Sequence, residues 1–228
     1  MPTFPEPAFS KLRQSRIIAV VVLDHLPDAV PLATALLEGG INCIELTLRT
    51  PGALKAIELI NAYLPDMTIG AGTVLTPSQV EDVHRAGADF AVAPGTNPRT
   101  IAAARDLGLP FAPGICTPTD IEIALESDCQ LMKFFPCEAS GGLPYLRQIA
   151  APFSHLGVKF LPLGGINPTN AETFLREPLI HAIGGSWLAP RALVAEQDWS
   201  GITKLAREAG QLIQKSRRQP EPEFTSCG

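Results

Sequence analysis

The sequence predicts an α/β chain folded as a (β/α)8 TIM barrel with an extra N-terminal helix. Three observations predict it. Short β-rich runs begin near Ile17, Cys43, Thr68, Phe90, Phe111, Leu131, Lys159 and Ala182, at intervals of 20 to 28 residues. Five capping-residue and proline pairs follow such runs: Thr50-Pro51, Thr76-Pro77, Asn97-Pro98, Thr117-Pro118 and Asn167-Pro168. Glycines stand just before several of the next runs, at Gly39-Gly40, Gly87, Gly108 and Gly157.

Each sign has a local cause. A threonine or asparagine oxygen accepts a hydrogen bond from one of the free amides at a helix start. Proline beside it has a preset φ and lacks only an amide that the first turn leaves unused. Glycine ends a helix because it enters the left-handed region without a steric penalty. Strand, capped helix, glycine and strand again imply parallel strands joined by crossover helices. Eight such units in a chain of this length fit a barrel. A doubly wound open sheet is the alternative, and it would place a glycine-rich turn after its first strand. Here IIAVVVLD is followed by HLPDAVP, without glycine. The stretch FSKLRQ reads as the added helix, placed to cover the bottom of the barrel. Residues 1–215 form the single expected domain. Residues 216–228, SRRQPEPEFTSCG, read as a disordered tail.

Composition narrows the function classes. Hydrophobic residues make up 46% and charged residues 18% of the 228 residues, and the formal net charge is -5. That balance gives no footprint for nucleic acid. The longest aliphatic run, Ile17 to Leu23, falls far short of the ~20 residues that span a bilayer. MPTFPEPAFS shows no basic segment followed by an apolar one, so a cytoplasmic location is expected. The five cysteines have no C-x-x-C spacing, and the four histidines are far apart in sequence. Neither disulfides nor a metal site is expected, and the histidines are assigned to loops or helix surfaces.

Charges in apolar strands point to a site. In the run Cys43 to Arg49, Ile44, Leu46 and Leu48 share one face, and Cys43, Glu45, Thr47 and Arg49 share the other. The second set must point into the barrel, where a carboxylate and a guanidinium are costly unless paired or used. A Glu45–Arg49 ion pair is the bland reading. Lys133 lies in the middle of Leu131-Met132-Lys133-Phe134-Phe135. A lysine kept neutral by burial and by a neighbouring cation such as Arg49 can attack a carbonyl. Its bland reading is a side chain that snorkels to one rim. Two glycine pairs follow the last two runs, Gly164-Gly165 and Gly184-Gly185-Ser186. Glycines let backbone amides approach an anion, and barrels often bind phosphate at these two strand ends.

The stretches EGGINCIELTLRT (38–50), IGAGTVL (69–75), MKFFP (132–136), PLGGINPTN (162–170) and IGGSWL (183–188) resemble the 2-keto-3-deoxy-6-phosphogluconate aldolase family. The resemblance runs from about Ile17 to Gly210. It implies a class I aldolase on a (β/α)8 barrel, homotrimeric, with a phosphorylated 2-keto acid as its small-molecule substrate and no cofactor. Many members also cleave 4-hydroxy-2-oxoglutarate. By the resemblance Lys133 is the Schiff-base lysine and Glu45 the general acid/base. Arg49 and Thr73 hold the pyruvate-like carboxylate, and Pro94 and Gly95 border it. Phe135 is an aromatic wall, and Gly164, Gly165 and Ser186 bind phosphate together with the Gly184-Gly185 turn. One position departs from the family. Leu163 stands where members carry threonine, near the C4 hydroxyl of the substrate. Two other functions remain compatible with the residues: a phosphosugar isomerase or epimerase with Glu45 as base, and a non-catalytic binder of phosphorylated acids.

Overall fold

A helix, α1 (Glu6–Ser15), precedes the first strand in the computed structural model, which describes residues 3–217. From there strands and helices alternate. The first half runs β1 (Ile17–Val21), α2 (Ala29–Glu38), β2 (Cys43–Thr47), α3 (Ala53–Tyr63), β3 (Thr68–Gly72), α4 (Pro77–Arg85), β4 (Phe90–Val92) and α5 (Pro98–Asp106). The second runs β5 (Phe111–Ala112), β6 (Gly114–Ile115), α6 (Pro118–Glu126), β7 (Leu131–Phe134), α7 (Gly142–Ala150), β8 (Lys159–Pro162), α8 (Ala171–Leu175), β9 (Ile183–Gly185), α9 (Arg191–Ala195) and α10 (Trp199–Arg217). The strands are parallel and form two arcs, ordered β5-β4-β3-β2-β1-β9 and β6-β7-β8. The architecture is an α/β fold with a curled parallel sheet.

Among the described residues nine strands stand where eight runs are expected, because Pro113 divides the fifth. Proline has no amide to give to a ladder. Its carbonyl still accepts from Lys133 N at 2.8 Å, which fixes the register of β7. Between β8 and β9 the ladder is reduced to single bridges, Phe160 to Ile180 and Leu163 to Gly184.

Three of the five proline pairs cap helices as expected. Gln79 N donates to Thr76 Oγ1 at the start of α4, and Arg99 N donates to Asn97 Oδ1 at the start of α5. Thr117 and Asp120 form a reciprocal capping box on α6. The other two pairs lie in turns ahead of their helices. α3 starts after Gly52 and α8 after Asn170, neither with a side-chain cap. The Asn167 carboxamide oxygen instead accepts from Thr169 N and Thr169 Oγ1, so it closes a turn and cannot cap. The expected tail also needs a correction: Ser216 and Arg217 continue α10. Residues 218–228 lie outside the described residues.

The two faces of the sheet feed two cores. Ile44, Leu46 and Ile69 pack outward against the helices. Cys43, Phe90, Leu131, Leu161 and Leu163 pack inward, and Phe4 and Leu12 join them from the N-terminal segment. His181 lies in a loop as expected, between α8 and β9, but it is buried beside this contact. Its ring lies 3.8 Å from the Phe9 ring, centroid to centroid, and Nε2–H donates to the Phe9 carbonyl at 2.7 Å. Burial lowers its pKa to about 4, because the imidazolium would lose water without gaining a carboxylate. α1 is thus tied to the N-terminal ends of the strands, and the C-terminal ends stay open.

Candidate active site

At the open end a cavity of about 750 Å³ is lined by Glu45, Arg49, Thr73, Pro94, Lys133, Phe135, Leu163, Gly164, Gly165, Gly184, Gly185 and Ser186. Its size is ordinary for a small-molecule pocket. Gly95, the second residue of the expected loop, is not part of the wall.

Strand alternation delivers the central pair. Glu45 lies on the inner face of β2 and Lys133 on the inner face of β7. Only 1% of Glu45 and 5% of Lys133 is exposed. Lys133 Nζ donates to Glu45 Oε1 at 3.1 Å, and the second carboxylate oxygen, Oε2, has no partner among the described residues. The lysine therefore does not snorkel, and Glu45 pairs with Lys133 rather than with Arg49 as the bland reading has it. Nζ also stands 5.4 Å from the centroid of the Phe135 ring, which is 36% exposed at the mouth. Arg49 needs a correction. β2 ends at Thr47, so Arg49 sits on the following exposed turn and reaches the cavity from its rim.

The room for Glu45 comes from β3. Glu45 faces Gly70, and Thr47 faces Gly72, across the parallel ladder. A methyl group on Gly72 would lie 2.1 Å from Glu45 Oε1. The next residue, Thr73, has a φ of 60°. A β-branched residue in that region is strained, and such strain gathers at sites where a side chain is held in one direction. Sequence reasoning singled out Thr73 but gave no signal for Gly72, whose need appears only across the sheet.

The two glycine pairs form the opposite wall. Gly164 and Gly165 both have positive φ, and a Cβ on Gly165 would meet the Glu138 side chain at 2.5 Å. Two carboxamides fix this loop from below. Asn167 Nδ2 and Asn170 Nδ2 each donate to the Gly165 carbonyl at 3.1 Å, and Asn167 N donates to Asn170 Oδ1 at 2.8 Å. Leu163, 3% exposed, packs its branched end where a side chain on Gly184 would otherwise stand. Sequence reasoning left out several wall residues, among them Val20, Trp187 and Arg191. Arg191 is an exposed charge in an otherwise apolar stretch, Trp187 to Ala195, a signal that sequence reasoning passed over.

A family model described as KDPG and KHG aldolase matches residues 9–205. The chain belongs to that family. It is 43% identical to the KHG/KDPG aldolase of Escherichia coli K12 over 89% of this chain and 94% of that protein. It is 42% identical to the 2-dehydro-3-deoxy-phosphogluconate aldolase of Treponema pallidum, over 90% of this chain and 97% of that one. Among solved structures, the KDPG aldolase of Legionella pneumophila, with pyruvate captured as a covalent carbinolamine, superposes with a TM-score of 0.84. That aldolase is 42% identical, over 89% of this chain and 97% of its own.

Proposed function

We propose that this chain is a class I aldolase that cleaves 2-keto-3-deoxy-6-phosphogluconate to pyruvate and glyceraldehyde 3-phosphate, with 4-hydroxy-2-oxoglutarate as a second substrate giving pyruvate and glyoxylate. The observation that carries this reading is the buried Lys133–Glu45 pair at the floor of an open cavity, in a member of this family. An isomerase or epimerase needs no imine, so the trapping of a covalent adduct separates it from the aldolase.

In this reading the Lys133 amine attacks the C2 ketone and forms a carbinolamine. Loss of water leaves a protonated imine. Glu45 removes the C4 hydroxyl proton, through a water or directly, and its unpartnered Oε2 is free to do so. The C3–C4 electron pair moves into the imine, the aldehyde departs, and an enamine remains on Lys133. Protonation at C3 and hydrolysis then release pyruvate and restore the amine. The imine is itself the electron sink, so the chemistry calls for neither metal nor organic cofactor. Arg49 and Thr73 hold the carboxylate beside C2, and the two glycine pairs with Ser186 receive the phosphate through backbone amides and a hydroxyl.

Architecture and assembly belong to the same reading. The bridge from Leu163 to Gly184 and the continuity of β5 with β6 support closure of the two arcs into a (β/α)8 barrel, with α1 as its added N-terminal helix. The family resemblance supports a cytoplasmic homotrimer. Incubation with pyruvate and borohydride tests the mechanism: mass mapping is expected to find the reduced adduct on Lys133, and none in Lys133→Arg, whose guanidinium stays protonated. An adduct on another lysine, or none in the wild type, sinks the covalent reading.

A further inference from the structure

The cavity wall carries three basic side chains among the described residues, and they stand in different places. Lys133 is buried against Glu45. Arg49 follows β2, and Arg191 opens α9, just past Gly184, Gly185 and Ser186. At the glycine pairs the donors are backbone amides and a hydroxyl, all neutral. Arg191 is the wall residue that brings a full positive charge to the β9 end of the site.

Its present partner holds it loosely. Arg191 Nη2 donates to Asp24 Oδ1 at 2.9 Å, across the rim to the loop that follows β1. The two side chains are 61% and 52% exposed, and exposed pairs of this kind contribute little. Asp24 does not line the cavity. A guanidinium restrained by one exposed carboxylate can turn its remaining donors to a doubly charged phosphate, whose oxygens fit its fork.

We infer that Arg191 is a specificity-determining residue: it pairs with the phosphate of the six-carbon substrate at the glycine pairs, and Asp24 positions it while the site is empty. The inference rests on the aldolase reading above. The five-carbon 4-hydroxy-2-oxoglutarate spends one carboxylate beside C2, and its shorter chain ends before the rim. Arg191 therefore favours the phosphorylated acid over the dicarboxylate.

The test measures kcat and KM of wild type, Arg191→Gln and Arg191→Lys on both substrates, at low and at physiological ionic strength. Arg191→Gln is expected to raise KM for the phosphorylated substrate about tenfold, between the worth of an exposed ion pair and that of a charged hydrogen bond. Its kcat, and both constants for 4-hydroxy-2-oxoglutarate, are expected to stay as in the wild type. The wild-type KM for the phosphorylated acid should rise with salt more steeply than that of the variant, and Arg191→Lys should recover part of the loss. Equal losses on both substrates overturn the inference, and so does an unmoved KM with an unchanged salt slope. Pyruvate carries no phosphate, so its borohydride adduct separates the two readings. If wild type traps pyruvate and Arg191→Gln leaves the substrate ratio unmoved, Arg191 falls and the aldolase stands. If wild type traps nothing, the aldolase reading itself falls.

Discussion

Gly72→Ala isolates what the empty space on β3 does for Glu45. The added methyl group would stand 2.1 Å from Glu45 Oε1 and 2.8 Å from its carboxyl carbon. Ordinary contact needs about 3.5 Å, so the carboxylate must retreat by more than about 1 Å. That retreat breaks the 3.1 Å contact with Lys133. Gly72 does not have positive φ, so alanine brings no backbone strain and the damage is confined to the side chain it meets. A misplacement of about 1 Å at a reacting group can cost about 10²-fold, and that loss is expected in kcat for the cleavage of 2-keto-3-deoxy-6-phosphogluconate. Overpacking should also lower stability by about 1–3 kcal/mol. Gly70→Ala is the control. It lies on the same face of β3 two residues earlier, but its methyl group would meet the Phe90 ring at 2.2 Å, in the inner core below the cavity. It should cost stability without the selective loss of kcat. The assay couples pyruvate release to lactate dehydrogenase, beside urea unfolding of each variant. Full activity in a folded Gly72→Ala protein refutes the reasoning, because it means that the position of Glu45 does not set the rate.

Two further outcomes are expected. Leu163→Thr puts a hydroxyl where Leu163 now offers only shape, so the ratio of kcat/KM for the gluconate- and galactonate-derived C4 epimers should move toward the gluconate form by about tenfold or more; an unchanged ratio removes Leu163 from the account of selectivity. His181 is held neutral in the fold, with a pKa of about 4 against the usual 6.5, chiefly by burial, and Arg13, Arg16 and Lys159 oppose its charge further. Its folded value is depressed, so its contribution is fully present above pH 6.5 and is lost as pH falls toward 4, by up to about 3 kcal/mol. Urea midpoints measured across that window should fall less steeply in His181→Gln, and parallel curves would show that His181 does not carry the acid sensitivity.

What was legible in the sequence followed from local chemistry. Thr76, Asn97 and Thr117 mark helix starts because a cap and its proline act within one turn. Lys133 and Glu45 stood out because charge inside an apolar strand has few explanations. Less legible were features that depend on partners distant in the chain. Gly72 matters because Glu45 lies across the ladder, and His181 is buried because α1 folds over it. Strand periodicity puts Arg49 on the inner face of β2 because it does not announce that the strand ends at Thr47. Arg191 is a lone charge in the run Trp187 to Ala195, but the cavity that it lines exists only once β9 and the loop after β1 meet.

Among the described residues, Phe4 and Leu12 pack into the inner core at the N-terminal ends of the strands, and the cavity opens at the opposite ends. Substrate and products therefore pass through that open end. In the proposed reaction the three carbons bonded to Lys133 lie deepest, against the floor that Val20 helps to build, and the phosphorylated half lies outermost. Traffic through a blind passage is ordered by depth. The aldehyde, released first and nearest the rim, departs while pyruvate is still tethered, and the tether keeps the enamine from escaping ahead of its proton. In the reverse direction pyruvate must be seated first, and an aldehyde that arrives early only blocks the way.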